Sequence, residues 1–101
     1  MVKRKIVWSH RARIKLYEIL KFYNDRNKSN TYSKKLYSRI NKELGLIKRQ
    51  PEIGIRTEIE LVRGLIIGDY IIFYQNYMDK IVVHSVWDCR HILGLDMVKG
   101  L

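Results

Sequence analysis

Cysteine is nearly absent: Cys89 is the one thiol in 101 residues. That excludes an internal disulfide framework and leaves too few thiols for a cysteine zinc site. It predicts a reduced, cytoplasmic setting. Proline is equally scarce, with Pro51 alone, and no linker, internal repeat or low-complexity tract divides the chain. No apolar run approaches the ~18 residues of a membrane span, so no membrane partner is expected. The basic start Lys3-Arg4-Lys5 meets just Ile6, Val7 and Trp8 before polar residues resume, too short an apolar core for a signal peptide. There is no Gly-rich phosphate loop, no Cys/His metal spacing and no Gly-x-Ser-x-Gly elbow, so neither metal nor cofactor is expected.

What the chain does hold is apolar mass and positive charge. Apolar residues make up 47%, too many for a disordered basic tail. The length suits one domain, residues 1–101, with one modest core. Net charge is +10, unevenly placed. Residues 1–50 carry 15 Lys/Arg against 3 Asp/Glu, and residues 51–101 carry 5 against 7. The first half has the electrostatic footprint of something that meets phosphate or an acidic partner. The plainer alternative is a solvated pair of lysine-rich helices.

Lys5 to Trp8 reads as a short strand, and Ser9 as a helix N-cap. Ala12, Leu16, Ile19 and Tyr23 then recur at helical spacing, with Leu20 and Phe22 widening the face. Residues 24–30 are rich in turn formers and read as a loop. A second helix follows, capped by Ser29 or Asn30, with the stripe Leu36 or Tyr37, Ile40, Leu44 and Ile47. Pro51 and Gly54 stop it. Residues 58–67 read as a strand with Gly64 as a bulge or close-approach point. Gly68-Asp69 predicts a two-residue type II′ hairpin turn. Tyr70–Gln75 and Lys80–Trp87 are the closing strands, with a turn between them. The order is β-α-α-β-β-β: an α+β fold, with a helical hairpin packed on a small, mainly antiparallel sheet.

The last two strands are apolar on both faces. Tyr70, Ile72 and Tyr74 oppose Ile71 and Phe73. Ile81, Val83 and Trp87 are expected to oppose Val82 and Val86. Two helices cover one face, so the other needs a lid. The tail residues Ile92, Leu93, Leu95, Met97 and Val98 can supply it, or a partner chain can.

Few residues suggest chemistry. His84 lies in the last strand, and Arg90-His91 follow its end, where functional side chains often sit. Arg63 interrupts the apolar pattern of the second strand. If Arg63 and Arg90 converge, two guanidiniums can grip phosphate through forked hydrogen bonds; a surface pair of either with Asp88 is the plainer reading. Arg63, His84, Arg90 and His91 are therefore the candidate catalytic residues. Lys34, Lys35, Arg39 and Lys42 on the second helix, with Arg63 and Arg90, are the candidate nucleic-acid- or target-binding residues. The aromatics Tyr17, Phe22, Tyr23, Tyr32 and Tyr37 are expected mostly on or near the helices' core stripes.

The run Val62-Arg63-Gly64-Leu65-Ile66-Ile67-Gly68-Asp69-Tyr70-Ile71-Ile72-Phe73-Tyr74, with the size, charge and element order, resembles the RelE/ParE toxin superfamily. So does the closing segment Ile81-Val82-Val83-His84-Ser85-Val86-Trp87-Asp88-Cys89-Arg90, which ends in an Arg like the family's last strand. The resemblance covers roughly residues 3–92. It implies the toxin of a type II toxin–antitoxin module (a plasmid stabilisation protein), neutralised by a cognate acidic antitoxin in a hetero-oligomer. It implies two target classes: ParE-like members block DNA gyrase, and RelE-like members cleave messenger RNA on the ribosome. RelE-like members carry an Arg where this chain has Ile71, and a Lys-rich second strand where residues 61–67 hold just Arg63. Both departures place the chain closer to ParE. Ribosome-dependent RNA cleavage is the alternative, and a non-toxic basic nucleic-acid-binding domain is a third reading.

Overall fold

The computed structural model describes residues 4–89, in the order β1 (Lys5–Trp8), α1 (His10–Asn27), α2 (Thr31–Arg49), β2 (Ile55–Arg56), β3 (Val62–Ile67), β4 (Tyr70–Asn76) and β5 (Lys80–Asp88). Arg90, His91 and the apolar tail proposed as a lid lie outside the described residues. The strands form one sheet, β1-β5-β4-β3-β2. Every neighbouring pair is antiparallel except β1 with β5. The helices pack as a hairpin on one face, giving the expected α+β architecture.

Ser9 starts α1 as the sequence predicts: its Oγ accepts from the Ala12 N–H at 3.0 Å. The buried stripe of α1 is Ala12, Leu16, Ile19 and Tyr23, and that of α2 includes Leu36, Ile40, Leu44 and Ile47. These side chains meet Ile67, Tyr70, Ile72, Tyr74, Ile81, Val83 and Val86 from the sheet, forming the main core. A smaller cluster on the opposite face joins Val62, Ile71 and Phe73, with Trp87 and Cys89 packed against it.

The structure revises several expectations. α1 runs through residues 24–27, read from sequence as loop. Lys28 closes it at φ 51°, its N–H bonding to the Asn24 carbonyl. The Asn24 side chain is held by Ser33 of α2, so a turn-forming residue is kept helical by a tertiary partner. Of the five helix aromatics, Tyr23 is buried, while Tyr17, Phe22, Tyr32 and Tyr37 are exposed. The strand expected from residue 58 begins at Val62. Residues 57–61 form a turn in which Thr57 Oγ1 lies 3.0 Å from the Ile59 carbonyl and 2.8 Å from that of Val62. The two-residue β2 had no counterpart in the sequence reading.

Gly64 is a close-approach point rather than a bulge. It pairs regularly with Phe73, and a Cβ there would lie 2.8 Å from Ile71 Cδ1. The bulge lies elsewhere. Phe73 pairs with Ser85 and Tyr74 with Val83, leaving His84 as the extra residue of β5. Beyond it the facing of side chains reverses. Val86 therefore joins the helix-side core and Trp87 the cluster on the opposite face, the reverse of the expected placement. Gly68 has φ +60° and Asp69 does not share it, as a type II′ turn requires.

Candidate functional site

Arg63 stands on the helix-facing side of β3, since its register partner is Tyr74. Its Nη1 donates to the carbonyls of Glu52 at 3.1 Å and Gly54 at 2.9 Å. Tyr74, fully buried, ties down the same loop. Its hydroxyl donates to the Pro51 carbonyl at 2.7 Å and accepts from the Gly54 N–H at 3.0 Å. Burial raises the phenol's pKa above its ordinary value, against the Gly54 bond and the Arg63 charge, which lower it. Beside this anchored loop opens a cleft of about 470 Å³, lined among others by Arg56, Thr57, Leu61, Arg63 and Asn76.

His84 projects elsewhere. Its Nε2 lies 3.1 Å from Gln75 Oε1, and Gln75 follows Tyr74 on the strand, so its side chain leaves by the face opposite the helices. Burial, then the Arg11 charge, lowers the imidazole's pKa. Both effects favour the uncharged imidazole. Arg63 and His84 thus occupy opposite faces of the sheet. They do not converge on one phosphate or one reacting bond.

The end of β5 is remote from Arg63 as well. Asp88 pairs with Tyr70, and Tyr70 with Ile67; Arg63 lies four residues back along β3, about 13 Å. The Cys89 N–H donates to the Asp69 carbonyl at 2.7 Å, placing this end of the chain at the Gly68–Asp69 turn. Burial, then Asp88 and Asp69, raises the Cys89 thiol pKa, which lowers its thiolate fraction. Arg90 and His91, the remaining candidates, lie outside the described residues. Among the described residues no group of three or more His, Cys, Asp or Glu is placed to hold a metal, and no helix is long and apolar enough to cross a membrane.

Two further surfaces lie on the helical hairpin. Lys34, Lys35, Arg39 and Lys42 border one shallow cleft of about 560 Å³ along α2, with Ser38 and Glu43. The structure does bring these four together. A second groove, of about 340 Å³, is lined by Trp8, Arg13, Leu16, Tyr17, Leu20 and Tyr37. The sequence alone does not disclose this groove, because Tyr17 and Tyr37 fall on or near the expected core stripes. Their offset from the buried positions by a single residue was the available signal, since one residue turns a helical side chain by about 100°.

Residues 6–93 match the family described as the ParE toxin of the type II toxin–antitoxin system parDE. Among solved structures, the chain is similar to a chain of the chromosomal ParDE TA system from P. aeruginosa, with a TM-score of 0.71 and 14% identity. That match covers 85% of this chain and 96% of the other. At this identity the likeness concerns the fold. No curated protein sequence matches.

Proposed function

Because this chain belongs to the ParE toxin family of type II toxin–antitoxin systems, we propose that it arrests bacterial growth by inhibiting DNA gyrase. Toxin of such a module is the role the family assigns; the target is our reading. The observation that carries it is the separation of Arg63 and His84 on opposite faces of the sheet. Metal-free RNA cleavage needs a base for the 2′-hydroxyl, an acid for the leaving oxygen and cations at the developing phosphate charge, all around one bond. Among the described residues no such set assembles. Ile71, where RNA-cleaving relatives carry an Arg, is buried in the smaller cluster. A missing charge-stabilising donor costs on the order of 10²-fold in rate.

The partner is an acidic antitoxin that lies over the sheet face opposite the helices and over the basic helices. Along that sheet face Val7, Ile55 and Ile66 are exposed. The groove between Trp8, Tyr17, Leu20 and Tyr37 adds apolar area flanked by Arg13. Apolar burial supplies affinity and opposite charge speeds encounter. A complex in which the antitoxin touches neither the sheet nor residues 9–50 would contradict this arrangement.

The test of target is direct. Induced alone, the protein should stop growth, and co-expression of the acidic protein encoded beside it should restore growth. Purified protein should inhibit gyrase supercoiling. Codon-phased cuts in translated messages within minutes of induction, with gyrase unaffected, would replace this target with the ribosome. Normal growth with folded protein present would remove toxicity altogether.

A further inference from the structure

We propose that the exposed face of α2 is a binding surface for the phosphate backbone of duplex DNA, separate from the sheet face and the Trp8–Tyr37 groove of the hairpin assigned above to the antitoxin. Lys34, Lys35, Arg39 and Lys42 are all exposed on this helix and line one cleft. From residue 34 to residue 42 the helix rises about 12 Å. One strand of B-DNA advances about 3.4 Å per phosphate, so the row matches three or four phosphates. Lys35 and Arg39 stand at i, i+4 spacing, where like charges repel and weaken a helix. Glu43 borders the cleft without pairing with the four. A polyanion laid along the row supplies the missing compensation.

The lining decides which polyanion. Besides the four cations and Glu43, the cleft has Ser38 alone. No apolar side chain is present to reward an acidic peptide that must order itself on binding. No aromatic is present to stack an unpaired base, as single-strand binders require. Tyr37 belongs to the groove with Trp8. Cations without apolar or aromatic neighbours fit a duplex backbone read without sequence preference. Arg39 marks the end of this surface nearest the β3–β4 turn: a Cβ on Gly68 would lie 3.4 Å from its Nη1.

The experiment measures anisotropy of a fluorescent 20-base-pair duplex of random sequence with the full chain, from 50 to 200 mM salt. Four phosphate contacts predict a log–log salt slope near −3.6, about a 10²-fold loss of affinity over that range. Replacing Lys34, Lys35, Arg39 and Lys42 together by Gln should flatten the slope by about 3.6. Gln is a good helix former, and melting by circular dichroism verifies that the variant stays folded. A charge-matched control, Lys15, Lys21, Arg26 and Lys28 to Gln, should change the slope by less than about one. Equal loss in both variants, or no duplex binding at 50 mM salt, would overturn the proposal. Tighter binding of a polyglutamate peptide of equal charge than of the duplex would overturn it in favour of an acidic protein. Growth arrest plays no part in this readout, so failure here is distinct from failure of the toxin reading.

Discussion

Tyr74→Phe should cost far more than one hydroxyl suggests. The ring is fully buried in the main core, and Phe keeps its shape. What leaves is the oxygen that bridges the Gly54 N–H at 3.0 Å and the Pro51 carbonyl at 2.7 Å. Gly54 is buried, so its N–H loses its acceptor where water enters poorly, at about 1–3 kcal/mol. Pro51 is half-buried, and its carbonyl can be rehydrated at smaller cost. The sum is about 2 kcal/mol, or about 8–16 °C in Tm for a domain of this size. Urea denaturation of both proteins measures it, with equal slopes showing an unchanged folded state. A second readout uses the phenol itself. Tyr74 has a raised pKa, so the folded state favours the neutral phenol. Its contribution is complete below the ordinary tyrosine value near 10 and is lost as pH rises through the higher folded value. In an alkaline absorbance titration, the Tyr74 phenol should ionise late in the wild type and be missing from the variant. A stability change below about 0.5 kcal/mol would refute the reasoning, since it would mean the Gly54 amide does not depend on this bond.

Four further outcomes are expected. Gly54→Ala should destabilise by about 3 kcal/mol in the same denaturation assay, because its Cβ would meet Tyr74 Oη at 2.5 Å and the ring at 2.8 Å. Ser9→Ala should cost about 1–2 kcal/mol, since one Oγ both caps α1 and donates to the His84 carbonyl at 2.8 Å. His84 has a lowered pKa, so its stability contribution is complete above the ordinary value near 6.5 and is lost as pH falls below it; between pH 7.5 and 5 the wild type should lose more stability than His84→Gln. In a growth assay, Arg90→Ala should weaken toxicity, whereas His84→Ala and His91→Ala should leave it unchanged if gyrase is the target and reduce it if RNA is cut.

The sequence made the core legible because apolar spacing alone determines it. Ala12 to Tyr23 and Leu36 to Ile47 had helical periods, and Gly68-Asp69 named its own turn. The errors have a shared physical origin in residues whose type suits either answer. Val82, Val83 and Val86 are β-branched and apolar, so a bulge at His84 leaves no mark in the hydrophobic pattern. β2 is two residues long, too short to show any period. Asn24 favours turns in isolation, yet Ser33 of α2 holds its side chain and keeps it in the helix. The site was less legible than the fold. Lys34, Lys35, Arg39 and Lys42 share a helix, so their grouping followed from spacing. Arg63 and His84 lie on different strands, and their relation depends on strand register and on the bulge.

That bulge links the two halves of the molecule. An extra residue in β5 takes the His84 carbonyl out of the ladder with β4. A partly buried carbonyl needs a donor, and Ser9 Oγ supplies it while the Ser9 N–H bonds to the neighbouring Val83 carbonyl at 2.9 Å. The same hydroxyl accepts from Ala12, so the start of α1 is held against β5 through one side chain. Past the bulge, reversed facing sends Val86 under the helices and Trp87 to the opposite side. Without the extra residue, Trp87 would be driven into a core whose place is filled by Val86, and the opposite face would lose its largest aromatic. One inserted residue thus anchors the basic hairpin to the sheet and sets the apolar character of the face assigned here to the antitoxin.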